Sequence, residues 1–367
     1  MRKDILKNVK VVVIKIGTSV LSTNSVIDRV KIEKIAKEAV SLLNREIKVC
    51  LVSSGAISSG MSILGLKTRP KSLPQLQAIA AVGQRYLMDL YADAFQKYNR
   101  LVAQILLTQE DLRERKRYLN ARNTIYTLLE KKIIPIINEN DTVAVEEIKF
   151  GDNDRLSALV ASLIGANLLI MLSDVEGFFI NGKLLSVVRE ITPQLEKFAG
   201  DTDSKELCVG GMSTKLEAVK ICSRAGIPCV LASGNRSGIL EKIITGEEVG
   251  TLFLPQEKRL TSRKQWILFN FKPKGKIYID KGAVEAILKK GKSLLSAGIV
   301  EVEGNFSEAD LVSILDIETK KEIAQGITNY SKEEVDRIKG LNTNELEKIL
   351  GQKYYNEVIH RDNLVIL

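Results

Sequence analysis

Short apolar runs alternate with longer stretches of helical period along the first 250 residues. The apolar runs are rich in Val, Ile and Leu and span residues 10–16, 48–52, 101–107, 133–137, 168–172 and 228–231. Between them, apolar residues recur at helical spacing and predict helices over 30–44, 73–98, 120–131, 154–164 and 214–225. Because the short runs are almost continuously apolar, we expect strands that are buried on both faces. This alternation predicts an α/β fold in which helices sandwich a mostly parallel sheet.

Small or polar residues follow each predicted strand. The six junctions are Gly17-Thr18-Ser19, Ser53-Ser54-Gly55, Thr108-Gln109, Asn138-Glu139-Asn140-Asp141, Ser173-Asp174 and Ala232-Ser233-Gly234. In open α/β sheets, ligands bind at the carboxyl ends of the strands. Ser, Asn, Asp and Gly are also common turn and cap residues, so only their combination at one edge indicates a site.

The pattern changes after Phe253. Residues 255–265 are basic and irregular, and a Pro273-Lys274-Gly275 turn follows. Beyond that turn, short strands, glycine-bounded turns and a single helix predict a small β-rich module. We therefore predict two domains, residues 1–260 and 274–367, as expected for a chain of 367 residues.

Composition narrows the chemistry. The chain is 45% hydrophobic and 27% charged, which excludes extensive disorder. Its one histidine, His360, lies near the end of the sequence, so His-dependent triads and His-rich metal centres are excluded. The four cysteines form no CxxC pair and predict reduced, buried thiols. Any reaction must use Lys, Asp, Asn and Ser.

Targeting and membrane signals are weak. The apolar run that follows the basic N-terminus is short and contains Lys15, unlike a signal peptide, so we expect a cytoplasmic protein. Residues 156–173 contain no charge and approach the length of a membrane span. Because Gly165-Ala166-Asn167 divides this segment, we predict a buried helix, a turn and a strand instead.

The net charge of +9 is unevenly distributed. Residues 271–367 contain 15 Lys and Arg against 16 Asp and Glu, so the basic surplus belongs to the larger N-terminal part. That surplus suits an anionic small molecule or a solvated surface. The near-neutral C-terminal module argues against nucleic-acid binding, which normally requires a basic face.

Three segments carry candidate phosphate chemistry, although the chain has neither a Walker A motif nor a GxGxxG motif. Lys15-Ile16-Gly17-Thr18-Ser19 ends the first strand, and Gly210-Gly211-Met212-Ser213-Thr214-Lys215 opens a helix. Glycine amides, a helix N-terminus and a lysine together stabilise phosphoryl charge. The third segment, Gly151-Asp152-Asn153-Asp154-Arg155, is compatible with a helix cap or with a Mg²⁺ site.

Several strings resemble the glutamate 5-kinases, a group within the amino-acid kinase family. In order and spacing, the matching strings are VVVIKIGTSVL, VSSGAISSG, AAVGQRYL, LLTQEDL, IPIINENDTV, GDNDRLSALVA and GGMSTKLEA. Near the C-terminus, GKIYIDKGAVEAIL, SLLSAGIVEVEGNF and HRDNLVIL resemble the PUA domain and tail of many members. The resemblance implies ATP-dependent phosphorylation of the γ-carboxylate of L-glutamate to L-glutamyl 5-phosphate, the first step of proline biosynthesis.

The same resemblance implies roles for individual residues. Lys15 and Lys215 would contact the ATP phosphates, and Asp154 would orient both ammonium groups, while Gly17 and Gly55 would offer backbone amides. The positions that match glutamate-binding residues are Ser54, Asp141 and Asn153, with Asn138 and Asp152 as further candidates. The positions that match ATP-binding segments are Lys15, Ser173, Asp174, Gly210, Gly211, Met212, Ser213, Thr214 and Lys215.

Cofactors and partners also follow from the resemblance. Mg²⁺ would ride on the β- and γ-phosphates of ATP, and no residue is assigned as its protein ligand. A homo-oligomer, either a dimer or a tetramer, and feedback inhibition by L-proline are implied. Two alternatives stay open: a sister kinase for N-acetylglutamate, aspartate, carbamate or a nucleoside monophosphate, and an RNA-binding protein that acts through the PUA-like module.

Overall fold

A large, mostly parallel sheet forms the centre of the first of two structural units. The computed structural model describes residues 1–23, 26–143, 153–202, 211–256, 273–351 and 355–367, and the chain divides into the units Met1–Arg259 and Leu260–Leu367. The strands described in the first unit are β1 (Val11–Ile16), β2 (Ser22–Thr23), β3 (Val26–Ile27), β4 (Lys48–Ser53), β5 (Val102–Leu107), β6 (Ile134–Glu139), β7 (Leu168–Ser173), β8 (Phe179–Ile180), β9 (Lys183–Leu184), β10 (Val187–Val188), β11 (Cys229–Ser233) and β12 (Thr251–Phe253).

Within the described chain, eight of these strands form one sheet in the order β10-β12-β11-β7-β1-β4-β6-β5. Its pairings are parallel apart from that between β11 and β12. The six strands predicted from apolar runs are all present, and their limits lie within two residues of the predicted ones. The predicted α/β class is confirmed. Strand β1 lies between β4 and β7, so the segment after Ile16 begins in the middle of the sheet.

Helices cover both faces of this sheet. Those described are α1 (Arg2–Leu6), α2 (Thr18–Leu21), α3 (Arg29–Asn44), α4 (Ala56–Ile63), α5 (Leu73–Gln96), α6 (Gln109–Arg113), α7 (Arg115–Glu130), α8 (Asp154–Leu163), α9 (Pro193–Thr202), α10 (Met212–Arg224) and α11 (Ile239–Ile244). Helices α3, α5 and α11 share one hydrophobic core with Val12, Ile14 and Ile16 of β1. Because strand side chains alternate, Lys15 points to the opposite face, where α8 contacts β1 and β7 and packs on α10.

The uncharged segment 156–173 is divided as predicted. Helix α8 ends at Leu163, Gly165 adopts a positive φ of 56°, and strand β7 begins at Leu168. In the described part of the chain, no helix is long and apolar enough to cross a membrane.

The second unit is built on its own five-stranded sheet. Its described strands are β13 (Gly275–Ile279), β14 (Ile299–Gly304), β15 (Leu311–Asp316), β16 (Glu322–Ile327) and β17 (Leu364–Ile366), in the order β14-β13-β15-β16-β17. The prediction of a single helix here was wrong, because the described residues form α12 (Lys281–Leu288), α13 (Lys332–Ile338) and α14 (Leu346–Leu350). The last two are too short to give a periodic pattern. A capping box between Ser331 and Glu334 instead marks where α13 begins.

Candidate active site

Asp154 joins two lysines from different parts of the first unit. Its Oδ1 lies 2.6 Å from Lys15 Nζ, and its Oδ2 lies 3.2 Å from Lys215 Nζ. Asp154 lies in the first turn of α8, Lys15 is the penultimate residue of β1, and Lys215 lies in the first turn of α10. The structure therefore brings together three residues that are separated by up to 200 positions in the sequence.

All three side chains of this lysine–aspartate cluster are buried. Asp154 is 0% exposed, Lys15 is 4% exposed and Lys215 is 7% exposed. Removing a charge from water is costly unless it is paired, so Asp154 stabilises both ammonium groups at this depth. The cluster of Lys15, Lys215 and Asp154 sums to one positive charge, which suits an anionic ligand. Thr214 also donates a hydrogen bond to Asp154 Oδ2 at 3.2 Å and thus links the start of α10 to the cluster.

The two candidate glycines follow the carboxyl ends of β1 and β4. The Gly17 N–H donates to Leu172 O at 3.1 Å, so in this conformation that amide is engaged with β7. A Cβ at Gly17 would lie 3.7 Å from Lys15 Nζ, which is an ordinary van der Waals contact. Gly55 precedes α4 with φ = 111°, a conformation that other residues rarely adopt.

A cluster of buried polar side chains lies beside β4. Asn153 Nδ2 donates to Ser53 O at 2.9 Å, to Asn138 Oδ1 at 2.7 Å and to Ser54 Oγ at 3.3 Å. Although Asn153 precedes α8, its side chain does not cap that helix. The carboxyl ends of β4 and β6 and the start of α8 are therefore held together by one amide. Since Ser54 Oγ accepts from Asn153, its own hydrogen is available to donate to a carboxylate.

Sequence reasoning missed two residues of α5 that support this cluster. Gln84 Oε1 accepts a hydrogen bond from Asn138 Nδ2 at 2.7 Å, and Tyr91 Oη lies 2.9 Å from Ser53 Oγ. Burial raises the pKa of the Tyr91 phenol, which stays neutral. The available signal was a glutamine within the apolar stripe of α5, between Ala80 and Leu87. A buried amide normally requires a partner.

The other predicted residues lie at the same edge of the sheet. Asp141 follows β6 and is half-buried, and Ser173 ends β7, where its Oγ donates to Asp174 Oδ1 at 2.9 Å. At the start of α10, Gly211 accepts a hydrogen bond from Thr214 at 2.9 Å. Met212 is half-buried and Ser213 is exposed. Gly210 and Asp152 lie outside the described residues.

The described residues offer no cluster of metal-ligating side chains. Among the described residues, no group of three or more His, Cys, Asp and Glu side chains could hold a metal ion. The carboxylate oxygens of Asp154 face lysines, which does not suit a cation. Mg²⁺ commonly keeps water and phosphate ligands and takes only one or two carboxylates. A Mg²⁺ ion that is bound mainly by the phosphates of a nucleotide is therefore compatible with these residues.

Comparison with known proteins identifies the family. The model of the amino acid kinase family matches residues 10–233, which is more than half of the chain and includes every candidate residue described above. The chain belongs to the amino acid kinase family. A second model, that of the PUA domain, matches residues 275–350. The family match thus covers every described strand of the large sheet except β12, and the PUA match falls within the second unit.

Curated relatives define the group within this family. Glutamate 5-kinase of Thermoanaerobacter sp. (strain X514) is 48% identical over 364 residues, which cover 97% of each chain. Glutamate 5-kinase of Dictyoglomus turgidum is 51% identical over 370 residues, which cover 98% of each chain. Glutamate 5-kinase of Syntrophotalea carbinolica is 47% identical over the whole of both chains. The resemblance to glutamate 5-kinases and to the PUA domain is confirmed.

Proposed function

We propose that the chain catalyses ATP-dependent phosphorylation of the γ-carboxylate of L-glutamate to L-glutamyl 5-phosphate. The observation that carries the proposal is the pair of buried lysines held by Asp154 at the carboxyl edge of the central strands. Relatives that match nearly the full chain are named for this activity. This reaction would be the first step of proline biosynthesis.

The reaction needs positioning and charge neutralisation rather than a proton acceptor. A carboxylate with an ordinary pKa of about 4.3 is already ionised at neutral pH and can attack phosphorus directly. The enzyme must hold two anions together and stabilise the charge on the transferring phosphoryl group. Lysines do this with mobile ammonium groups, and Asp154 restricts where those groups lie. The lack of a histidine near the cluster is therefore no obstacle.

Each group of candidate residues has a role in the proposal. Lys15 and Lys215 contact the ATP phosphates, and the start of α10 from Gly211 to Lys215, together with Ser173 and Asp174, lies on the nucleotide side. Gly17 and Gly55 allow the phosphoryl group to approach the backbone. Mg²⁺ would be held with the phosphates of the nucleotide and would supply part of the charge neutralisation.

The glutamate side of the proposal uses the polar cluster beside β4. Ser54 donates to a substrate carboxylate, and Asp141 attracts the α-ammonium group. Asn153 offers Oδ1, since its Nδ2 is used by Ser53, Ser54 and Asn138. A site that offers acceptors to an ammonium group distinguishes a free amino acid from an N-acylated one.

Three further properties belong to the proposal because the relatives are glutamate 5-kinases. They are a cytoplasmic location, assembly into a dimer or a tetramer, and inhibition by L-proline. Sedimentation velocity tests the assembly. Turnover measured with and without L-proline tests the inhibition.

The deciding experiment traps the acyl phosphate with hydroxylamine in the presence of ATP and Mg²⁺. L-Glutamate is compared with L-aspartate and N-acetyl-L-glutamate, and wild type is compared with Lys215→Ala. Lys220→Ala is the matched control, because Lys220 lies on the same helix and pairs at the surface with Glu196. We expect product from L-glutamate alone, its loss in Lys215→Ala and its retention in Lys220→Ala. Product from a different acid would assign the chain to a sister kinase.

A further inference from the structure

Gln84 begins a hydrogen-bonded series of three buried side-chain amides that ends at the proposed glutamate site. Gln84 Oε1 accepts from Asn138 Nδ2 at 2.7 Å, and Asn138 Oδ1 accepts from Asn153 Nδ2 at the same distance. Gln84, Asn138 and Asn153 are 9%, 3% and 7% exposed. This series of amides runs from α5, through the end of β6, to the start of α8.

Two backbone groups fix the direction of this chain. The Glu139 N–H donates to Asn138 Oδ1 at 2.9 Å, and Ser53 O accepts from Asn153 Nδ2 at 2.9 Å. A backbone N–H can only donate and a carbonyl can only accept. Rotating the Asn138 amide by 180° would place its Nδ2 against two donors, and rotating the Asn153 amide would place its Oδ1 against two acceptors. Asn138 must therefore present its Nδ2 to α5, and only an acceptor there satisfies it.

Gln84 supplies that acceptor, and among the described residues its side chain makes no other hydrogen bond. Its neighbours on the buried stripe of α5 are Ala80, Gly83 and Leu87. Without Gln84 Oε1, Asn138 would either keep a buried donor unsatisfied or leave the network. If Asn138 moved, Asn153 would lose its shortest side-chain hydrogen bond, and its Oδ1 would no longer be held toward a ligand.

We propose that Gln84 is a positioning residue that fixes the amide orientation of Asn138, and through it of Asn153, for binding of the amino-acid substrate. The inference rests on the proposed function, since Asn153 is placed on the glutamate side of the site. Gln84 itself need not touch the substrate. Substitution of Gln84 should weaken binding of the amino acid and leave binding of the nucleotide unchanged, because Lys15 and Lys215 are held separately by Asp154.

The first test is Gln84→Met in the full chain, which keeps side-chain length and removes the acceptor. We expect the KM for L-glutamate to rise about tenfold, as for one lost hydrogen bond, with the KM for ATP unchanged within about twofold. Gln84→Glu retains an oxygen opposite Asn138 Nδ2 and should lie between Gln84→Met and wild type. Gln96→Met is the control, because Gln96 is an exposed residue of the same helix.

A double-mutant cycle distinguishes positioning from general stabilisation. If Gln84 acts through Asn138, the combination of Gln84→Met with Asn138→Ala should raise the KM for L-glutamate no more than Asn138→Ala alone. Titration calorimetry with L-glutamate, without ATP, gives a second readout and covers a variant whose turnover is too slow to measure. Independent, multiplying effects, or equal rises in both KM values, would overturn the inference.

The inference and the proposed function fail in different ways. Wild type that phosphorylates another acid but not L-glutamate would refute the proposed function, and the cycle would then be repeated with that acid. Wild type that uses L-glutamate, beside a folded Gln84→Met variant with unchanged constants, would refute only the role of Gln84.

Discussion

At the scale of single residues, Asp154 has the most demanding position in the first unit. It is fully buried, and its two oxygens face lysines that come from β1 and α10. A buried carboxylate without partners would be strongly destabilising, whereas here it aligns two cations at the edge where a phosphoryl group would be transferred. The same side chain therefore serves both folding and the proposed catalysis.

Asp154→Asn tests this dual role. The substitution keeps the shape and removes the negative charge, so the two ammonium groups repel each other and lose their alignment. We expect kcat for acyl-phosphate formation to fall about 100-fold or more, the usual scale for a lost electrostatic contact. Glu217→Gln is the control, because Glu217 pairs with Arg155 at a half-exposed position nearby. A kcat within about threefold of wild type would contradict the role of Asp154.

The buried cysteines lead to a prediction about reactivity. Burial raises the pKa of the Cys50, Cys222 and Cys229 thiols, so at neutral pH they are protonated and poorly nucleophilic. Cys208 lies outside the described residues. We expect Ellman's reagent to modify at most Cys208 in the native chain and to modify all four thiols after unfolding in urea. Rapid labelling of more than one thiol in the native chain would contradict this burial.

Residue-level prediction from the sequence worked where a motif carried the residue. Lys15, Asp154 and Lys215 were found because each stands in a string that matches the family. Gln84 also stands in such a string, yet its partner Asn138 is 54 positions away. The glutamine within the apolar stripe of α5 indicated a buried partner, but only the fold could reveal which residue that partner is.

At the scale of elements, helices α4 and α5 pack closely together beside the polar cluster. A Cβ at Gly83 would lie 1.9 Å from Ala56 O and 2.2 Å from Gly60 N, and a Cβ at Gly60 would lie 2.0 Å from Ile79 O. These backbones can meet only because both positions lack a side chain. Helix α4 follows Gly55, and α5 carries Gln84, so this contact sets the spacing between the two sides of the polar cluster.

Gly83→Ala should therefore separate the two helices. We expect the free energy of unfolding to fall by about 3 kcal/mol, as for overpacking against backbone that cannot move aside. The KM for L-glutamate should rise with it, because Gln84 moves away from Asn138. Urea unfolding followed by circular dichroism gives the first quantity, and the hydroxylamine assay gives the second.

Gly65→Ala is the control for this prediction. Gly65 has a φ of 66° and nothing within 4 Å of a built Cβ, so an alanine there experiences only the backbone penalty. That penalty is about 1 kcal/mol. Equal losses at Gly65 and Gly83 would show that the close contact contributes nothing.

Element prediction succeeded where hydrophobicity was strong and local. The central strands are buried on both faces, so apolar composition alone marks them. Helix α4 was missed because its sequence AISSGMSI is short and rich in Ser and Gly, which are weak helix formers. Its stability comes from contact with α5, and tertiary contacts of this kind cannot be deduced from local propensity.

At the scale of the whole molecule, two units carry separate hydrophobic cores. One core consists of residues between Leu6 and Leu252, and the other of residues between Ile277 and Leu364. Every described residue of the lysine–aspartate cluster and of the polar cluster belongs to the first unit. The division into domains 1–260 and 274–367 remains a prediction about independent folding, and it predicts that the proposed activity is separable from the second unit.

Removal of residues 271–367 tests that separation. Because every described residue of the two clusters belongs to the first unit, the truncated chain should form acyl phosphate from L-glutamate with a kcat within about tenfold of the full chain. Circular dichroism and a cooperative thermal transition would first establish that the truncated chain is folded. A folded truncated chain that binds ATP but gives no product would mean that catalysis depends on the second unit.

The matching fragment, residues 271–367, should bind tRNA weakly, because its positive and negative charges nearly cancel. A tRNA-binding assay at several salt concentrations tests this.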